Sequence, residues 1–237
     1  EANSSCMLYV LFTVEHWTFI HYHTKFGGKH MKISPTLTEV KEIAKTGKYD
    51  ILPVSCEILS DFITPIEAMR ILQNVSTHCY LLESAQANEA WGRYTFLGYD
   101  PKLEINCIDG HMKLGKLSVE TDNPSEYIRQ ILSEYKSPKF DYMPSFTGGL
   151  VGYFSYDYLG YKEKSIRGKA RDTEDFKDVD LMLFDKVIAF DNLCQKIILI
   201  ANMSLDDPET GYNKAIVELK QLRELLMHGE KKQNMGG

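Results

Sequence analysis

The sequence predicts an α+β fold with largely antiparallel sheet, and three observations carry the prediction. Three segments open with helix-capping signatures, short strand-like apolar runs stand between and after them, and an Asp109-Gly110 pair joins two of those runs directly. A two-residue Asp-Gly connection suits antiparallel neighbours, since parallel strands need a crossover of a dozen residues or more. Helices mixed with hairpins, rather than a strict strand–helix alternation, place the chain in the α+β class.

The elements follow in order. In "SPTLTEVKEIAKTG", Thr36 stands as N-cap with Glu39 three residues on, Leu37, Val40 and Ile43 share a face, and Gly47 stops the helix. "ITPIEAMRILQNV" repeats the pattern with Thr64, Pro65 at the first helical position, and Glu67. "NPSEYIRQILSEY" is expected to do so a third time with Asn123, Pro124 and Glu126. Strands are expected at "THCYLL", "RYTFLG" and the two arms of "KLEINCIDGHMKLG", then at "GGLVGYFSYDYL", an aromatic run flanked by glycines. "LMLFDKVIAF" and "KIILIANM" read as another hairpin turning near Asp191-Asn192. The charged stretch "YKEKSIRGKARDTEDFKDVD" reads as a surface loop. Near the end, Tyr212, Ala215, Ile216, Leu219, Leu222 and Leu226 form a helical apolar stripe.

Composition narrows the function. The chain has 237 residues, 43% of them hydrophobic and 25% charged, enough for a sizeable core. A formal net charge of −6 argues against nucleic acid or an anionic membrane as partner, since both select basic surfaces. The five cysteines are odd in number, scattered and without a C-x-x-C pair, as in reduced, mostly buried thiols of a cytoplasmic protein. Residues 1–30 break from the rest. They are apolar and aromatic but interrupted by Glu15 and His16, too short for a membrane span, and lack the basic start and cleavage site of a signal peptide. Four of the seven histidines (His16, His21, His23, His30) lie there, and no thiol or carboxylate motif completes a metal site with them. The expectation is a non-native or disordered extension over 1–30, ahead of one domain over 31–237.

Catalytic signatures are scarce. "GGLVG" at Gly148–Gly152 lacks the Lys-Ser/Thr of a phosphate loop, so its glycines are assigned to close backbone packing. There is no G-x-S-x-G elbow and no H-E-x-x-H. One juxtaposition stands out in "CYLLESAQANEAWGRYTFLGYDP", where Glu83 and Ser84 sit side by side at the end of an apolar run. Either they face solvent at the start of a loop, or they grip a ligand.

Taken together, "ITPIEAMRIL", "CYLLES", "WGRYTFLGYDP" and "GGLVGYFSYD" resemble, in order and spacing, the N-terminal region of the anthranilate synthase component I family of chorismate-using enzymes. The resemblance runs from about residue 31 to 230. It implies the N-terminal half of a layered α/β sandwich with largely antiparallel sheets. It also implies that Leu82, Glu83 and Ser84 line a pocket for the feedback inhibitor L-tryptophan. Glu83 would accept from the ammonium, Ser84 would hold a polar end, and Leu82 would wall the indole, because a buried zwitterion needs charge-assisted partners at both ends. Arg93 would offset the ligand carboxylate, or else is a surface strand residue. The family's chorismate, Mg²⁺ and acid–base residues lie in a C-terminal half that this sequence does not contain. The resemblance thus implies a regulatory and scaffolding region, inactive alone, whose partners are its own C-terminal half and a glutamine amidotransferase subunit. The whole enzyme would convert chorismate and ammonia to anthranilate and pyruvate in tryptophan biosynthesis. Alternatives are the corresponding region of aminodeoxychorismate synthase, a free-standing tryptophan-binding module, and a scaffold with no ligand.

Overall fold

A computed structural model describes residues 31–83, 92–161 and 176–231. The expected extension over 1–30, Ser84 and most of the charged segment around 162–175 lie outside the described residues. The elements are β1 (Ile33–Ser34), α1 (Leu37–Lys45), β2 (Ile51–Leu59), α2 (Pro65–Val75), β3 (Cys79–Glu83), β4 (Tyr94–Tyr99), β5 (Leu103–Ile108), β6 (His111–Leu114), β7 (Leu117–Glu120), α3 (Pro124–Ser133), β8 (Gly149–Phe154), a 3-10 helix (Tyr156–Tyr161), β9 (Val179–Phe184), β10 (Lys186–Asp191), β11 (Lys196–Ser204) and α4 (Pro208–His228). The α+β class with antiparallel sheets is borne out. Every strand pair is antiparallel. No described helix is long and apolar enough to cross a membrane.

The chain divides into two compact units. One is drawn from 101–134 and 149–184 and holds a five-stranded sheet ordered β7-β6-β5-β9-β8. Its apolar cluster gathers Ile105, Cys107, Met112, Val179 and Leu181 with Ile128 of α3. Asp109 and Gly110 both take positive φ, 49° and 82°, which makes the β5–β6 link the expected two-residue turn. That turn is tied down by Asp178, whose carboxylate accepts from the Asp109 amide at 2.8 Å and the Tyr161 hydroxyl at 2.6 Å. Gly152, in β8, has φ 155°, and a Cβ there would overlap the Asp180 carbonyl oxygen on β9. Close backbone packing is therefore this glycine's role.

The other unit is built on a six-stranded sheet ordered β1-β2-β11-β10-β4-β3. On one face, Leu52, Val54, Leu97, Ile188, Phe190, Ile197 and Leu199 pack with Val40 of α1, Ala68, Ile71 and Leu72 of α2, and Leu219, Leu222 and Leu226 of α4. The α4 stripe read from the sequence is the buried face, with Ile216 at its margin. Strand alternation sends Val187, Ala189, Ile198 and Ile200 to the opposite face, where Tyr94, Phe96 and Phe146 join them. Helices α1 and α2 carry both expected capping boxes.

Three expectations are corrected, and one strand is added. Asn123 makes no side-chain cap to α3; its Oδ1 instead accepts from the Ser125 hydroxyl at 2.7 Å, so the third capping box does not form. "LMLFDKVIAF" is two strands in two different sheets, broken at Asp185, whose carbonyl accepts from both the amide and the side-chain nitrogen of Asn202. "SYDYL" leaves the strand for a 3-10 helix. Residues 51–59, to which no element is assigned above, form β2, paired along its whole length with β11. Among the described cysteines, Cys56 and Cys107 are buried, Cys79 is half-buried, and Cys194 is exposed; none of the four is in a disulfide.

Candidate functional site

Among the described residues β3 lies at the end of its sheet and pairs with β4 alone, and it is less buried than the apolar run suggests: Tyr80 is buried, Leu81 and Leu82 are half-buried, and Glu83 is exposed. Its register places Leu81 opposite Leu97, Leu82 opposite Phe96, and Glu83 opposite Thr95. Since Leu81 and Leu97 belong to the helix-packed face, Leu82 and Phe96 belong to the other. An aromatic group occupies that face. Phe96 lies 5.7 Å from Tyr94 and 5.6 Å from Phe146, and Phe146 meets Tyr80 edge-on at 6.4 Å. These rings were not singled out from the sequence, although the alternation in "RYTFLG" puts Tyr94 and Phe96 on one face. Phe146, fifty residues further along, has no local signal pointing here.

Arg93 enters β4 from the loop, and its guanidinium is taken up by a neighbour the sequence reading passed over. Nε donates to Asp191 Oδ1 at 3.1 Å and Nη2 donates to Oδ2 at 2.7 Å, a fork-to-carboxylate pair. The Asp191 side chain is 0% exposed and that of Arg93 is 27% exposed. Asp191 Oδ1 also accepts from the Leu193 and Cys194 amides at 3.2 and 3.0 Å. Burial alone would raise this carboxyl's pKa, but the Arg93 and Cys194 bonds outweigh it and hold the group below its ordinary value. The hydrogen bonds to Asp191 in turn raise the Arg93 pKa. The guanidinium also lies over the Tyr94 ring, 4.9 Å from its centroid. Burial pushes the Tyr94 phenol up to about 12.

The pair sits at the head of a short bonded chain. The Asn192 amide donates to the Arg93 carbonyl at 2.8 Å, and the Asn192 side chain donates to Thr95 Oγ1 at 3.3 Å. Thr95 is 1% exposed and forms a rung with Glu83 on one side and Phe190 on the other. Magnitudes decide what Arg93 can do. Breaking a buried ion pair costs about 3–5 kcal/mol, and a charge-assisted hydrogen bond to a ligand returns about 1.5–3 kcal/mol. The structure brings Leu82 and Glu83 to one strand end and spends the Arg93 fork on Asp191. Among the described residues, no group of three or more His, Cys, Asp or Glu is placed to hold a metal ion.

No protein-family model matches the chain. Curated relatives do. Over 198 residues it is 33% identical to anthranilate synthase component 1 of Acetivibrio thermocellus, covering 81% of this chain and 39% of that protein. Over 186 residues it is 35% identical to anthranilate synthase component 1 of Pseudomonas aeruginosa, covering 75% and 37%. The chain is homologous to the anthranilate synthase component 1 family. It spans less than half the length of those component 1 relatives. A solved anthranilate synthase component I from Streptococcus pneumoniae matches at 25% identity with a TM-score of 0.46, over 70% of this chain and 36% of that one, too loose a superposition to carry an argument. Strand β3 with Leu82 and Glu83, and Arg93 just ahead of β4, belong to a chain whose component 1 likeness takes in four-fifths of its length.

Proposed function

We propose that this chain supplies the effector-binding and scaffolding part of an anthranilate synthase large subunit in the cytoplasm. The observation that carries this reading is the 33% identity over 198 residues, all within 39% of the Acetivibrio thermocellus protein. The whole enzyme, with its C-terminal chorismate-binding half and a glutamine amidotransferase subunit, converts chorismate and ammonia to anthranilate and pyruvate. Mg²⁺ serves that C-terminal half, and no residue of this chain is assigned to it. L-Tryptophan binds at the end of β3. The exposed Glu83 carboxylate receives the ammonium and Ser84, the next residue, holds a polar end of the ligand. Leu82, on the same face as Phe96, offers apolar wall to the indole.

The test joins the chain to the C-terminal part of the Acetivibrio thermocellus relative and follows anthranilate fluorescence with chorismate, ammonia and Mg²⁺. Product is expected from the joined protein and none from the chain alone. Glu83→Gln and Ser84→Ala are each expected to weaken tryptophan inhibition about tenfold to a hundredfold, the equivalent of roughly 1.5–3 kcal/mol for one lost bond to a charged ligand. Inhibition unchanged in both variants would overturn the effector site, and anthranilate from the chain alone would overturn the division of labour.

A further inference from the structure

We propose that Arg93 does not contact the effector. Asp191 holds it as a lock on the Glu83–Thr95 rung, which makes Asp191 a positioning residue for the end of β3. The inference rests on the effector reading above and refines it. Four donors from two segments converge on one carboxylate with no side-chain exposure: both fork nitrogens of Arg93 and the amides of Leu193 and Cys194. The lock therefore fastens the start of β4 to the β10–β11 turn. From that turn, Asn192 reaches back to the Arg93 carbonyl and to Thr95 Oγ1, and Thr95 stands directly opposite Glu83. A carboxylate so enclosed cannot turn to water if its cation leaves, so a ligand cannot recruit Arg93 without stranding Asp191. The ligand's carboxylate must be met by other groups, and what Asp191 governs is the position of Glu83.

The two roles for Arg93 predict opposite signs. If Arg93 were the ligand's cation, Asp191→Asn would release it and tryptophan would bind as well or better. If Asp191 positions the strand end, Asp191→Asn weakens binding, Arg93→Lys weakens it similarly, and the double variant is no worse than the poorer single, because both remove one shared device. The experiment is equilibrium dialysis of the full chain against L-tryptophan up to millimolar concentration. Glu57→Gln, which breaks the Lys196–Glu57 ion pair in the same sheet, serves as the control for loss of an ion pair as such. Expected are at least a fivefold loss of affinity in Asp191→Asn and Arg93→Lys, and wild-type affinity in Glu57→Gln. Should Asp191→Asn fail to fold, Thr95→Val removes the Asn192 contact at nearly constant volume and is expected to weaken binding at least twofold; unchanged affinity there overturns the inference. Glu83→Gln tells the two failures apart. If it weakens binding while Asp191→Asn does not, the lock is wrong and the effector site stands. If the wild-type chain takes up no tryptophan, or binds it as Glu83→Gln does, the effector reading falls and this inference falls with it.

Discussion

Asp191 is a carboxylate denied water, and its pKa records how it is repaid. Burial works upward, and the Arg93 fork and the Cys194 amide work downward and prevail. The sign of the pH dependence follows. A carboxyl depressed in the folded state contributes stability that is complete above the unfolded value, about 4, and is lost as pH falls through the folded one. The difference in Tm between wild type and Asp191→Asn is therefore expected to stay constant from pH 7 to about 5 and to shrink below about pH 4. Arg93 keeps its charge throughout that range, so the change belongs to the carboxylate. A difference that persists unchanged to pH 2 would show that the ionised form is not what matters. At this scale the sequence is half legible. Glu83 and Arg93 attract notice beside apolar runs, whereas Asp191 in "FDN" reads as an ordinary turn residue, because its partner is 98 positions away.

Among the elements, capping chemistry was readable wherever the cap is made by side chains close in sequence. Thr36 and Thr64 each accept from the amide three residues on, while Glu39 and Glu67 return the bond. Asn123 has the right identity, but its backbone, at φ −140° and ψ 73°, does not turn the side chain onto the helix. Thr64→Ala should therefore cost about 1 kcal/mol, seen as a Tm lower by about 2–4 °C. Asn123→Ala should stay within about 0.5 kcal/mol. Equal losses in the two would contradict the geometry. Strand β2, to which no element is assigned from the sequence, holds a proline within its nine residues, and the pairing that fixes it comes from β11, about 140 residues on.

Across the whole molecule, what escaped the sequence is the order of strands. A hairpin such as β5–β6 is written in two turn residues, whereas β2 beside β11, and β4 between β10 and β3, are settled by long-range burial that no local pattern encodes. Those pairings put Leu199 in the middle of the larger core, with no exposure, while Leu193, six residues earlier, is 71% exposed. Leu199→Ala is expected to cost about 2–5 kcal/mol, and to lower Tm by more than about 5 °C. Leu193→Ala should lie within about 0.5 kcal/mol of wild type. Similar losses at both sites would mean that β11 does not sit centrally.

Pro53 has one more effect. It stands opposite Asn202, whose amide points away from it, to the Asp185 carbonyl. The backbone of Pro53 therefore faces the outer flank of β2, which β1 covers over only two residues. That flank is nonetheless covered: the Ile51 amide donates to the Lys136 carbonyl at 3.1 Å, and Pro53 is itself buried. A residue with no N–H at that position leaves no buried donor there in need of a partner. The proline thus stands in a central strand at a position where its missing donor leaves no ladder bond to β11 unmade.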